Sequence, residues 1–224
     1  MFNKILIANR GEIAIRIAQA CQEMGIKTVT VYSESDREAL HVSAGDESYA
    51  LGGETPLESY LNIDKLVQAA TETNAQAIHP GYGFLSERAD FAQKCWDNGI
   101  VFIGPHPEAI RRMGDKIEAK KLAKSLGVPT VPGFESNDSD PDLLKTKASE
   151  IGYPILIKAA AGGGGKGMRV VNSDDELLPA LDSATREAKN AFGDGRVFIE
   201  KYVNSPRHIE FQILGDNEGN LIHL

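Results

Sequence analysis

The 224-residue sequence predicts an α/β chain: a doubly wound, mostly parallel sheet, followed by a smaller α+β unit that ends incomplete. Two observations carry this. In the first half of the chain, short apolar runs alternate with segments of helical period, the signature of strand–helix–strand crossovers. From Tyr153 the order changes to strand, glycine loop, strand, helix, strand, loop and strand. With 42% apolar and 25% charged residues, the chain can bury a substantial core.

The elements follow in order. Ile5 to Ala8 is an apolar run and reads as a buried parallel strand. Asn9, Arg10 and Gly11 turn the chain; Ile13, Ile17, Cys21 and Met24 recur at near-helical spacing, and Gly25 stops that helix. Thr28 to Tyr32 is a second strand and Tyr49 to Leu51 a short third. Asn62 caps a helix running to about Thr73. Ala77 to His79 is a strand, Glu87 to Asn98 a helix with Ser86 as its cap, and Val101 to Ile103 a strand. Ligands of such sheets gather beyond the carboxyl ends of the strands, but no G-x-G-x-x-G follows the first strand, so no dinucleotide site of the usual kind is expected. Asp115-x-x-Glu118 is a capping box opening a helix from Asp115 to Leu126, ended by Gly127 and Pro129. Ser136 to Asp142 is polar and reads as a surface loop. Ser173-x-x-Glu176 resembles a helix start, but Pro179 places the regular part at about Ala180 to Ala191. Glu210 to Leu214 and Leu221 to Leu224 read as strands joined by a turn at Asp216 to Gly219; a chain stopping inside that hairpin reads as a fragment.

Charge and composition exclude some functions. Lys plus Arg is 24 and Asp plus Glu is 32, a net charge of -8, which is wrong for a nucleic-acid binder. Any anionic ligand must be met by local lysines and backbone amides. No apolar run is long enough for a membrane span, and the start carries no leader pattern, so a cytoplasmic protein is expected. Cys21 and Cys95 have no C-x-x-C or His companions and read as lone buried thiols; no metal site is expected from this chain.

The strongest local signal is Lys158 followed by Gly162, Gly163, Gly164, Gly165, Lys166 and Gly167 between two strands. Bare glycine amides can close around phosphate oxygens, and glycines let the loop open and shut; the alternative is a plain hairpin linker. It is not a P-loop, because the Gly-Lys-Ser/Thr ending is absent and a strand follows. Lys158 sets an ammonium at the mouth of this loop, or else snorkels from an edge strand. Lys116 stands in the first turn of a capped helix, where the macrodipole disfavours a cation unless an anion is held there; otherwise it is a surface lysine. Val197 to Val203 is a β-rich run that turns polar. His208, Glu210 and Gln212 alternate with Ile209, Phe211 and Ile213, a cleft lining or a solvated face. His79 to Glu87 is either a site-edge loop or a structural turn.

Together these residues resemble the N-terminal half of biotin carboxylase, an ATP-grasp ligase and the ATP-using component of acetyl-CoA, propionyl-CoA and pyruvate carboxylases. The likeness runs the whole length: KILIANRGEIAIRI, AIHPGYGFLSE, FIGP, MGDK, KAAAGGGGKGMRVV, IEKYV and PRHIEFQILGD, in that order. The resemblance implies a pre-ATP-grasp domain over 1–113, a connecting helix and lid subdomain over 114–203, and the start of the second ATP-grasp half over 204–224. It implies that Lys116 and Lys158 contact ATP phosphates, that Gly164 and Gly165 lie in the loop closing over them, that Glu200, Lys201, Tyr202 and Val203 form the adenine-side hinge, and that His208 contacts the nucleotide. It further implies ATP, Mg2+ and carried biotin, a biotin carboxyl carrier and a carboxyltransferase as partners, and a homodimer. The family's metal, bicarbonate and biotin residues come later in its chain, so no catalytic residue is assigned here and the piece alone is expected to be inactive. Two other readings stay open: a carbamoyl-phosphate-synthetase-like ATP-grasp ligase, and a non-catalytic assembly module.

Overall fold

A computed structural model describes residues 1–135, 141–161, 167–216 and 218–224. The chain divides into two compact units, Met1–Leu122 and Ala123–Leu224.

The first unit runs β1 (Lys4–Ile7), α1 (Gly11–Glu23), β2 (Lys27–Tyr32), β3 (Glu47–Ala50), α2 (Ile63–Glu72), β4 (Ala77–His79), α3 (Ala89–Asp97), β5 (Val101–Phe102) and α4 (Pro107–Gly114), and enters α5 (Lys116–Ser125). The five strands are parallel in the order β3-β2-β1-β4-β5. β1 is central, which is why KILI is apolar without alternation: both its faces are covered. Ile5, Ile7 and Ala77 pack against Ala14, Ile17, Ala18 and Cys21 of α1. Leu6, Val29, Val31 and Ile78 pack on the opposite face with Leu66, Ala70, Phe91 and Cys95 from α2 and α3. Because β2 and β4 flank β1, the winding direction reverses beside β1, and a crevice forms outside the carboxyl ends of β1 and β4.

Local signals explain most boundaries. Gly25 ends α1 at φ +70°. The Asn62 side chain accepts the Lys65 amide at 3.1 Å and caps α2. Ser86, however, caps nothing: α3 starts after Arg88, whose side chain makes no cap bond. α4 adds a helix that the apolar pattern did not announce; its signals are Pro107 in the first turn and His106, whose Nδ1 accepts the Glu108 amide. Cys21 and Cys95 are free and buried, and burial pushes the Cys95 thiol up to about 12.

The second unit contains β6 (Gly133–Glu135), α6 (Pro141–Ile151), β7 (Ile155–Ala159), β8 (Arg169–Val171), α7 (Asp174–Phe192) and β9 (Val197–Lys201). Its antiparallel sheet has the order β6-β9-β7-β8. Ile155, Ile157, Val171, Val197 and Ile199 pack with Leu144 and Ala148 of α6 and with Leu177, Leu181 and Ala184 of α7. The unit thus begins before Tyr153, with a strand and a helix that the sequence did not disclose. Pro141 and Asp142, expected in a loop, open α6; the rest of that loop lies outside the described residues.

α7 corrects a second expectation. It starts at Asp174 and passes through Pro179 without a break. Asp174, Asp175 and Glu176 suit its N-terminus, the buried Leu177, Leu181, Ala184 and Ala188 hold one face, and Pro179 sits on the exposed side. No capping box forms among the described residues at this start: the Ser173 side chain makes no cap bond, and Glu176 accepts the amide of Asn172 at 2.8 Å rather than that of Ser173.

The final strands β10 (Ile213–Gly215) and β11 (Leu221–His223) pair antiparallel as a separate hairpin. Residues 207–212 are not a strand, and Ile209 and Phe211, expected to share one face, are exposed. Ile213, Leu214, Leu221 and Ile222 are also more than half exposed, so no core forces the alternation into β geometry.

Pro179→Ala restores the missing amide of α7 to the Asp175 carbonyl. We expect it to stabilise the second unit by about 1–3 kcal/mol in urea denaturation.

Candidate nucleotide site

Lys158 and Glu200 meet on the face of the second sheet opposite α6 and α7. Along β7, Ile155, Ile157 and Ala159 are buried, whereas Leu156 and Lys158 turn the other way. In the adjacent β9, Glu200 pairs with Leu156 and Phe198 with Lys158, so Lys158 and Glu200 are diagonal neighbours on one face. The Lys158 ammonium forms an ion pair with Glu200 Oε1; the Glu200 carboxylate side chain is 11% exposed and that of Lys158 28%. The pair is therefore shielded on the carboxylate side and open on the ammonium side. An anion arriving from that open side competes with Glu200 for a cation already fixed in place.

The loop leaving β7 carries the glycine run. Gly164 and Gly165 lie outside the described residues. Gly167, where the chain returns, has φ +72°, and a Cβ there would approach Ala159 Cβ at 3.0 Å and Ala188 Cβ at 3.6 Å. Gly167 thus lets the loop re-enter close to both β7 and α7. Arg169 then anchors β8 to α7 through Glu187 at 2.7 Å.

The remaining expected residues are placed as follows. Lys201 turns back to its own scaffold: its Nζ donates to the carbonyls of Gly152 at 2.8 Å and Tyr153 at 3.0 Å. The backbone amides of Lys201 and Tyr202 donate to the Pro132 and Pro154 carbonyls. Val203 is about half exposed. His208 is exposed and its Nε2 lies 2.8 Å from Glu210 Oε1. Lys116 belongs to the first unit, at the start of α5, where the Asp115 carboxylate accepts the amides of Ile117 at 2.9 Å and Glu118 at 3.1 Å, as the capping box predicts. The structure therefore brings Lys158 and Glu200 together, leads Lys201 away into a structural role for its side chain, and places Lys116 on the other unit. Among the described residues, no group of three or more His, Cys, Asp or Glu side chains suits a metal ion.

The first unit holds a second polar cluster, which sequence reasoning missed. At the carboxyl edge of β1 and β2, Arg10 clamps Asp36 through Nε at 2.6 Å and Nη2 at 2.5 Å, and the Tyr60 hydroxyl donates to Asp36 at 2.6 Å. Arg10's hydrogen bonds, then Tyr60's, hold the Asp36 carboxyl at about 2, against the opposing effect of burial. A pocket of about 230 Å³, lined by Arg10, Ser33, Ser35, Asp36, Glu54 and Tyr60, opens beside it. Behind it His41 is buried; its Nε2 faces the Val31 carbonyl at 3.2 Å, its Nδ1 has no partner among the described residues, and burial lowers its pKa. The available signal was position: Asn9 and Arg10 follow directly on the central strand, where doubly wound sheets place their ligands.

Comparison with known proteins agrees with this architecture. Residues 1–110 match the family "biotin carboxylase, N-terminal domain", and residues 115–224 match the ATP-binding domain of the carbamoyl-phosphate synthase L chain. The chain is 57% identical over 223 residues to a biotin carboxylase of Nostoc sp., and 54% identical over 224 residues to a pyruvate carboxylase subunit from Methanothermobacter thermautotrophicus. The chain belongs to the biotin carboxylase family. Among solved structures, a biotin carboxylase–βγ-ATP complex from Campylobacter jejuni superposes with a TM-score of 0.96 at 49% identity. The biotin carboxylase domain dimer of 2-oxoglutarate carboxylase from Hydrogenobacter thermophilus, crystallised with MgADP, ADP and bicarbonate, gives 0.95 at 51% identity. All of this chain is covered in these matches, and it spans about half the length of these relatives: 50% and 46% of the two proteins, 50% and 49% of the two structures.

Asp36 has a folded-state pKa below its ordinary 3.8, so its charge stabilises the first unit above that value and the contribution fades as pH falls towards about 2. Asp36→Asn is expected to cost about 2 kcal/mol at pH 5. The gap from wild type should narrow as pH falls below 3.8 and close only below about pH 2 in chemical denaturation across that range.

Proposed function

We propose that this chain is the nucleotide-binding part of a biotin carboxylase, an ATP- and bicarbonate-dependent ligase that carboxylates biotin on a carrier protein. The observation that carries the proposal is the Lys158 ammonium, held by Glu200 near the end of β7, three alanines before the glycine run. It lies in the part of the chain that matches an ATP-binding domain. On this reading 1–113 is the pre-ATP-grasp domain, 114–203 the connecting helix and lid subdomain, and 204–224 the start of the second ATP-grasp half.

The chemistry follows from charge. Bicarbonate attacks the γ-phosphorus of ATP, the bond to the bridging β-γ oxygen breaks, and carboxyphosphate and ADP form. Carboxyphosphate, or the CO2 it releases, then carboxylates the ureido N1 of biotin, and phosphate leaves carrying the N1 proton. Lys158 binds phosphate oxygens and offsets their charge, with Lys116 as a second cation from α5. Gly164 and Gly165 close over the phosphates with backbone amides. Glu200 through its carboxylate, and Lys201, Tyr202 and Val203 through backbone groups, border the adenine, and His208 contacts the nucleotide. The described residues do not fit a Mg2+ site, and no step is assigned to a metal here. The partners on this reading are a biotin carboxyl carrier and a carboxyltransferase, and the enzyme forms a homodimer.

Calorimetric titration of the 224-residue chain with ATP tests the proposal. Saturable binding is expected, weakened at least about tenfold by Lys158→Ala, the loss of one charge-assisted contact. Binding unchanged in Lys158→Ala contradicts the assignment. The chain alone should show no bicarbonate-dependent ATPase activity above background. Extended to the length of its relatives, it should carboxylate free biotin; bicarbonate-dependent ATP cleavage that biotin never couples to carboxylation would instead favour another acyl-phosphate-forming ligase.

A further inference from the structure

The turn after β1 and the loop after β4 are bound together where the sheet changes winding direction. Asn9 is 3% exposed. Its Nδ2 donates both hydrogens, to the carbonyl oxygens of Pro80 and Tyr82, each at 2.8 Å, and its Oδ1 accepts the Arg10 amide at 2.9 Å. Between those two carbonyls lies Gly81, at φ +65°, and a Cβ there would stand 2.7 Å from Asn9 Nδ2. Gly83 has φ +67°, and Phe84, which does carry a side chain, has φ +42°.

Two neighbours of Asn9 hold the same loop. Arg10 clamps Asp36, Asp36 accepts the Tyr60 hydroxyl, and the Tyr60 ring stacks on Phe84 with centroids 5.3 Å apart and planes 9° from parallel. Glu12 accepts the Tyr82 hydroxyl. Asn9 and Glu12 therefore hold residues 80–84 directly, and Arg10 does so indirectly, through Asp36 and the Tyr60 ring on Phe84. The outward side is open: Tyr82 is 62% exposed, and a Cβ on Gly83 would meet nothing within 4 Å.

A connection from β4 to α3 needs no left-handed Phe84. Backbone in such regions costs of order 1–3 kcal/mol, and it persists where the surroundings over-determine it for a purpose. We propose that Asn9 is a positioning residue for the biotin carboxylase reaction: its carboxamide holds the 80–84 loop in a strained shape at the carboxyl edge of the sheet. Asn9 touches no reacting group and acts only through the loop. The proposal rests on the functional reading above.

The test perturbs the contact from both sides, with Asn9→Ala removing the donor and Gly81→Ala pushing a methyl into it. Amide hydrogen exchange of the 224-residue chain is read first. Both variants are expected to speed exchange at 81–84 at least about tenfold while amides of β1 and β4 stay within about twofold. Equal acceleration across the whole unit in both variants would make Asn9 an ordinary core residue and overturn the proposal. The chain extended to the length of its relatives is then assayed for biotin carboxylation. The expected result is a kcat lowered at least about tenfold with KM for ATP within about twofold, since, among the described residues, the Asn9 side chain bonds only Arg10 and the 80–84 loop and none of the residues proposed to bind ATP. A locally loosened loop with unchanged kcat overturns the positioning role. A wild-type extended chain that does not carboxylate biotin removes the parent reading and the role with it, whereas the exchange result still shows whether Asn9 latches the loop.

Discussion

Everything proposed for this chain depends on one cation kept ready on a protein surface. An isolated lysine on a strand would sweep through many rotamers and hold its water; at that cost it grips a phosphate poorly. Here Glu200 fixes the Lys158 ammonium from the shielded side and leaves its outer side open. Removing such a carboxylate from water is costly unless a cation stays near it, so the two side chains constrain each other. The diagonal register of β7 and β9 sets the geometry, and the apolar layer of Ile155, Ile157 and Ile199 under α6 and α7 sets the register. A sheet slipped by one residue would turn Lys158 towards the helices.

The first unit solves a different problem with the same economy of parts. β1 is buried on both faces and delivers Asn9, Arg10 and Glu12 together at the carboxyl edge. Asp36 is the hub of that edge, since it accepts both Arg10 and Tyr60. Loops at such edges are usually the mobile part of an α/β sheet. In this unit, side-chain hydrogen bonds and a ring stack hold the loop against its own backbone preference, as local strain at working sites requires.

The parallel sheet was legible because fully buried strands leave continuous apolar runs, and caps such as Asn62 and Asp115 act through local chemistry. Lys158 was legible because a charge beside a glycine run is conspicuous. What failed was set by tertiary packing. Pro179 reads as a helix breaker, but the buried Leu177, Leu181 and Ala184 stripe outweighs one missing hydrogen bond. Glu210 to Leu214 read as a strand and residues 207–212 alternate, yet the described residues supply no core for Ile209 and Phe211 to enter. β6 and α6 lay hidden, the first short and glycine-led, the second behind a polar stretch. Asp36 and Tyr60 could not be paired from sequence, since nothing local links them to each other or to Arg10. The likeness to biotin carboxylase supplied a backbone role for Lys201, and the structure adds what the sequence did not disclose, that its side chain is tied to the Gly152 and Tyr153 carbonyls.

The central claim is that nucleotide phosphates take the open side of Lys158. The most direct measurement is the rate of amine-selective labelling at individual lysines, with and without saturating ADP. The account predicts that ADP slows labelling of Lys158 and leaves the half-buried Lys147, paired with Glu150, unchanged. Labelling of Lys158 that proceeds at the same rate under saturating ADP would contradict it.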